Sequence, residues 1–426
     1  MRFVSTRGGA APVGLSQAIL QGVAPDGGLY LPDSIPVGDL AELWSNLPLA
    51  KFAARLLAPF FAGDPLEPDL GAICAAAYDF EVPLVDAVPG LKSLELFHGP
   101  TGAFKDFGAR FLMECFDRLG EAARPLTVLA ATSGDTGGAV GCAAEGLEKV
   151  RAVILYPKGR VSAFQEMQLT CWGAPVHAVE VEGDFDDCQR LVKAAFADPG
   201  LVAAHRLSSA NSINIGRWLP QMAYVAHAAV RLFRQSGTKP GSLIPAGNLG
   251  HGFAALYARA MGLPIGPIVL ATNANRTLSA WAETSIYTPM PSVATIANAM
   301  DVGAPSNFER LIALDPALRE VTVERVEDDA IRARIVADAA AGYLWCPHSA
   351  TAAEAFARMP TERQAERPWI VAATAHPYKF ADVIEPMIGR TVEPSPPLRA
   401  ILGRAGKKVS IAASLDELQE ALRTLP

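Results

Sequence analysis

Cysteine, histidine and charge are all sparse in this chain of 426 residues. Its six cysteines (Cys74, Cys115, Cys142, Cys171, Cys188 and Cys346) stand no closer than 17 residues apart and form no CxxC pair. That excludes a locally encoded zinc knot or redox dithiol, and reduced, buried thiols are expected. The seven histidines show neither HExxH nor HxH spacing, so no metal site is expected. Charged residues make up 19% of the chain, the formal net charge is −7, and no basic stripe occurs. This balance excludes a dedicated nucleic-acid or anionic-membrane surface, and any anionic ligand must be held locally. Long apolar runs are missing too. The longest uncharged stretch, Pro240 to Ala258, is broken by Pro245 and several glycines, and it cannot serve as the ~20-residue apolar span a bilayer requires. No membrane partner is expected. The opening MRFVSTRGG has no apolar segment behind its arginines, which reads as a chain without a secretory signal and predicts a cytoplasmic location.

What the chain does have is apolar content, 50% of its residues. That rules out disorder, and the length corresponds to roughly two to three domains. Residues 1–90 are rich in turn signals such as Pro25-Asp26-Gly27-Gly28, interleaved with helical stretches like Leu40 to Leu57, and read as a separate N-terminal domain. From Thr127 onward short apolar runs alternate with polar or glycine-rich loops and alanine-rich helical segments, the βαβ rhythm of a mostly parallel sheet covered by helices. The runs are Thr127 to Ala131, Ala152 to Tyr156, Val176 to Val181, Leu243 to Ala246, Ile268 to Ala271 and Trp369 to Ala373. Asp184 reads as the N-cap of a helix with Phe185, Cys188, Leu191, Val192 and Ala195 on one face. After the stiff Glu393 to Pro397 connector, residues 391–426 read as a small tail whose last helix opens on a capping box, Ser414 with Glu417.

Two loops carry chemistry. Leu126 to Ala144 and Leu243 to Ala258 each spell strand, glycine loop, helix, an arrangement that aims unpaired N–H groups at an anion. Neither contains the GK[ST] or GxGxxG of the common nucleotide loops. Each loop read singly is an anion cradle or simply a tight strand-to-helix turn. The third feature is Lys105 in FHGPTGAFKDFGARF, flanked by Ala103, Phe104 and Phe107. Among aromatic groups its ammonium is desolvated, its pKa falls, and the neutral amine can form a Schiff base. The alternative is a lysine that snorkels from an amphipathic helix. Asp106 is open in the same way, since an acid in a first turn also suits the helix dipole. Two anion loops, a candidate Schiff-base lysine and an α/β frame together point to pyridoxal 5'-phosphate.

At this point the chain resembles a known family. STRG (Ser5 to Gly8), PDGGLYLP (Pro25 to Pro32), FHGPTGAFKDF, ATSGDTGG (Ala131 to Gly138), NSINIGRWLPQ (Asn211 to Gln221), PAGNLGHG, PSNFERL (Pro305 to Leu311) and ATAHPYKF (Ala373 to Phe380) are similar, in order, to strings of the threonine synthases. These are pyridoxal-phosphate enzymes of the tryptophan-synthase β-like, fold type II group. The resemblance implies an α/β catalytic region over 91–390 made of two subdomains, the smaller spanning roughly 110–220, preceded by a small N-terminal domain. It implies that Lys105 bonds the cofactor, that Asp135 lies near its ring hydroxyl, and that Thr374 binds its ring nitrogen. The backbone of Gly247, Asn248, Leu249, Gly250 and His251 would hold the phosphate, with Ser133, Thr136 and Arg217 at the substrate end. The implied reaction turns O-phospho-L-homoserine and water into L-threonine and phosphate, in a monomer or homodimer.

Three strings depart from the family pattern. TNANRTL (Thr272 to Leu278) has Arg276 where an acid is usual, ANAMDV (Ala297 to Val302) replaces an SPAMDI-like string, and GNLGH replaces GNFGN. Arg276 is read as a solvated surface charge or as a recruiter of the substrate phosphate. The second role would open a phospholyase or dehydratase reading in which a 2-oxo acid is released.

Overall fold

Residues 1–36, 41–132 and 134–425 are described by the computed structural model. Among them the strands, in chain order, are β1 (Phe3–Ser5), β2 (Tyr30–Pro32), β3 (Leu84–Val88), β4 (Leu91–Glu95), β5 (Leu126–Ala131), β6 (Val150–Pro157) and β7 (Val176–Glu182). Then come β8 (Leu207–Ser209), β9 (Gly241–Pro245), β10 (Ile268–Thr272), β11 (Thr322–Arg325), β12 (Trp369–Ala373) and β13 (Lys408–Ala412). All six apolar runs are strands, and β5, β9, β10 and β12 are buried at every position, as parallel strands covered on both faces must be. One sheet runs β11-β10-β9-β12-β4-β3 and is parallel except for the β3–β4 hairpin; a second runs β13-β7-β6-β5-β8 and is parallel throughout. The first pair, β1 and β2, makes a small antiparallel ribbon. No helix among the described residues is long and apolar enough to cross a membrane.

The sheet order decides where chemistry can occur. Strands β4, β12 and β9 lie side by side and run the same way. The segments that follow their carboxyl ends therefore open at one edge, where ligands of parallel sheets bind. Those segments are the lysine loop, Thr374 and the Gly247 loop. The first glycine loop follows β5 of the other sheet and faces them.

Leu40 to Leu57 does not form a single helix. Leu40 lies outside the described residues, Ala41–Trp44 is a single 3-10 turn, and the helix is Leu49–Phe61. Pro48 explains the break, because proline pushes the residue before it out of helical geometry. The N-terminal residues share one core with the catalytic region: Phe3, Tyr30, Phe52, Phe60 and Phe61 pack in the cluster that holds Phe111, Phe116, Tyr224 and Tyr257. At the other end β13 pairs in parallel with β7, and Leu418 and Leu422 bury against Leu191 and Val192. A fully buried leucine contributes about 1.5–3 kcal/mol, enough to fix this tail on the smaller sheet. Both expected caps form, Asp184 accepting from Asp187 N and Ser414 from Glu417 N. Glu417 itself turns to Ala412 N and so closes the strand end rather than the second half of a capping box.

Candidate active site

Lys105 begins the helix Lys105–Leu119. The turn before it is held from both sides. Phe104 N donates to Thr374 O and His376 N donates to Gly102 O, each at 2.8 Å, a short antiparallel bridge between Ala103 and Ala375. Asp106 Oδ1 and Oδ2 accept from Thr101 Oγ1 at 2.5 Å and Thr101 N at 3.0 Å. Asp106 is thus the clamp of the turn, and burial raises its pKa to about 6 against the pull of those two bonds. The Lys105 ammonium has no hydrogen-bond or ion-pair partner among the described residues and lies 4.8 Å from the Phe104 ring centre. Desolvation first, and the Arg217 charge second, lower its pKa to about 8, with Asp135 opposing. The residue keeps partial exposure, so the amine is both weakened as a base and reachable.

Opposite stands the loop from Gly247 to Gly252 at the start of the helix Gly250–Ala260. No acceptor among the described residues takes any of its backbone N–H groups. Leu249 sits in the left-handed region at φ 64°, a strained conformation for a leucine of the kind that collects at binding loops. Carbonyl and side chain of Asn248 are used to hold the loop instead: Asn307 Nδ2 donates to its oxygen at 2.9 Å and Ser306 N to its Oδ1 at 2.5 Å. Arg310, fully buried, ties Asn307 to Tyr30 O and Ile213 O. Glu309 receives Thr6 Oγ1 and pairs with Arg7 at 3.1 Å. The STRG, PDGGLYLP, NSINIGRW and PSNFERL strings therefore converge on the back of one loop. His251 stacks on Phe104 at 5.3 Å and meets Tyr224 edge-on at 5.2 Å; neither ring nitrogen has a partner among the described residues, and burial, helped by the Lys105 charge, lowers its pKa to about 3.

Thr374, just past β12, is buried. Its N–H donates to Ser349 Oγ at 2.9 Å, and that hydroxyl lies 3.5 Å from Thr374 Oγ1. Asp135 opens the helix Asp135–Ala144 and faces Lys379 at 3.0 Å. Thr136 follows it, partly exposed. Ser133 lies outside the described residues. Arg217 is buried against the first turns of the lysine helix: its guanidinium donates to Ala210 O, its Nε has no partner among the described residues, and a Cβ on Gly108 would come within 3.0 Å of that nitrogen. The structure brings Lys105, Asp135, Arg217, His251 and Thr374 close together, Lys105 acting electrostatically with Arg217, Asp135 and His251 and its turn bonding Thr374 O. Arg276 is exposed at the start of the helix Thr277–Thr284. The two departing strings bind each other, Asn273 and Asn275 donating to Asp301 at 2.7 and 3.3 Å, and Met300 Cα backs onto Gly247, where a Cβ would approach it to 2.9 Å. Lys379, Gln168, Thr101 and Ser349 were given no role in the sequence reading; Lys379 in ATAHPYKF and Thr101 in FHGPTGAFKDF lay within strings that carried a signal, Gln168 and Ser349 did not.

The fold and this site define a class, the pyridoxal-phosphate dependent enzymes, and the model of that family matches residues 92–375. Residues 2–78 match the threonine synthase N terminus and 349–422 the threonine synthase C-terminal family. A threonine synthase of Serratia marcescens is 38% identical over 424 residues, covering 97% of each chain. Crystal structures of threonine synthase from Brucella melitensis, with pyridoxal phosphate bound, and from Escherichia coli superpose with TM-scores of 0.92 and 0.91 at 34% and 33% identity, each over 99% of both chains. The chain belongs to the threonine synthase family.

Proposed function

We infer that this chain converts O-phospho-L-homoserine and water into L-threonine and phosphate, using pyridoxal 5'-phosphate held on Lys105. One observation carries the reading: a desolvated amine with no partner among the described residues lies close enough to His251 to act on its ring, and no acceptor among the described residues takes the N–H groups from Gly247 to Gly252. That is what an aldehyde and a phosphate on one small molecule require. The hydroxyl of Thr374 supports the ring nitrogen assignment, since it is buried and fixed through Ser349. When bound, pyridoxal phosphate supplies an electron sink for the charge left as C–H bonds of the amino acid break.

The chain's own groups do the rest. Lys105 Nζ, tethered at the site, takes the proton from Cα and then one from Cβ, and two protons go back, one to Cγ after phosphate has left and one to Cα at the end, at the high effective concentration that tethering gives. Its lowered pKa keeps a fraction of the amine neutral near pH 7. Arg217, whose Nε has no partner among the described residues, holds positive charge against the first turns of the lysine helix, and with Ser133 and Thr136 it is assigned to the substrate. Phosphate leaves from Cγ, and water adds at Cβ. The exposed Arg276 lends no support to a changed substrate. Borohydride reduction of the holoprotein followed by peptide mapping tests the assignment: the adduct belongs on Lys105, and Lys105→Ala loses both the adduct and phosphate release while its unfolding curve stays close to wild type. An adduct on Lys379, or phosphate release by Lys105→Ala, overturns it.

A further inference from the structure

A second lysine is buried at the same opening, and nothing in the reaction above uses it. Lys379 is 2% exposed. Its ammonium donates to Thr101 O at 2.7 Å and to Gln168 Oε1, and lies 3.0 Å from Asp135 Oδ1 and 5.9 Å from the Phe164 ring centre. Desolvating an ammonium is unfavourable by several kcal/mol unless an opposite charge and hydrogen bonds compensate. Here two neutral oxygens take the hydrogen bonds and the carboxylate supplies the charge. The contact with Asp135 is Coulombic rather than a directed hydrogen bond, because Oδ1 has no aligned donor. Asp135 Oδ1 is thus a buried acceptor whose compensation is the charge of Lys379. Lys379 also bridges two bodies: Asp135 and Gln168 belong to helices packed on the smaller sheet, Thr101 to the lysine loop. Gln168 Nε2 closes the ring by donating to Thr101 O at 3.0 Å.

We propose that Lys379 is a positioning residue, the counter-ion that lets a carboxylate stand at Asp135 beside the ring of the cofactor on Lys105. The inference rests on the function proposed above and adds a residue to it. A charged acid at this spot is tolerable because the pair is neutral as a unit. Remove the ammonium alone and the buried Asp135 carboxylate is left with only the more distant Lys105, the group that carries the cofactor, as a positive neighbour. Remove both charges, with Asn at 135, and the imbalance is gone. A lysine that merely braced the Thr101 turn would show no such dependence on residue 135.

The test is a double-mutant cycle read by equilibrium titration of apoprotein with pyridoxal phosphate, using wild type, Lys379→Met, Asp135→Asn and the double variant. The expected result is that Lys379→Met binds about tenfold or more weakly than wild type, while the double variant binds within about threefold of Asp135→Asn. Losses that multiply, so that the double variant is worse than either single, overturn the proposal. If Lys379→Met is insoluble, soluble yield is read in its place: recovery in the double variant supports the counter-ion role and equal insolubility rejects it. Wild-type apoprotein that takes up no pyridoxal phosphate rejects the functional reading itself, and this role for Lys379 falls with it.

Discussion

His251 shows how much of this site is decided by single side chains denied water. Its ring stacks on Phe104 and meets Tyr224 edge-on, with neither nitrogen partnered among the described residues, and burial lowers its pKa to about 3, as it lowers that of His348, whose Nε2 accepts from Ala299 N, to about 4. A histidine whose folded pKa lies below its unfolded value of ~6.5 binds fewer protons when folded. Between that value and the depressed pKa, falling pH therefore favours the unfolded chain. His251→Phe keeps the stacked ring and removes the titration. Its stability should decline less steeply than wild type between pH 6 and 4, by up to ~1.4 kcal/mol per pH unit. Urea unfolding at pH 7 and pH 5 checks this, and parallel losses in the two proteins contradict it. Lys105 was legible at this scale because a lysine among aromatics after a tight turn is chemically odd. Asp106 was not, because only the fold reveals that it clamps Thr101.

At the scale of elements, the Gly247 loop separates two reasons for glycine. A Cβ at Gly247 would come within 2.9 Å of Met300 Cα, whereas one at Gly250 meets nothing nearer than Asn307 Nδ2 at 3.5 Å. Gly247→Ala should therefore destabilise the protein by about 1–3 kcal/mol through overpacking. Gly250→Ala should leave thermal unfolding unchanged and weaken pyridoxal-phosphate binding, because only the ligand would feel the methyl group. A Gly250→Ala protein with wild-type cofactor affinity removes this loop from the phosphate site. Six strands were readable because burial on both faces demands continuous apolar runs, whereas β4, also central, reads Leu-Lys-Ser-Leu-Glu with two half-buried positions and was not. The edge strands β3, β11 and β13 were not: they are half exposed, and β13 reads as Lys-Val-Ser-Ile-Ala with one buried side chain. The helix break at Pro48 was missed by weighing apolar spacing above the proline.

Across the whole molecule, the first residues of the chain reach the site through a line of polar contacts: Thr6 and Arg7 to Glu309, Arg310 to Tyr30 O, and Asn307 to the Asn248 carbonyl. The order of the motifs was visible in the sequence, but their meeting was not. Lys379 finds its partners at positions 101, 135 and 168, and nothing local announces such distances. The same line of contacts bears on the product. Threonine needs one water delivered to Cβ and bulk water kept out, while an open site would lose the unsaturated intermediate by hydrolysis to a 2-oxo acid. We propose that the N-terminal residues and Asn211 to Gln221, braced on the back of the Gly247 loop, contribute to that closure. Chromatography of the products formed from O-phospho-L-homoserine by the pyridoxal-loaded protein tests the account most directly. L-threonine and phosphate in equal amounts is the predicted result; phosphate accompanied mainly by 2-oxobutyrate, or no turnover, would contradict it.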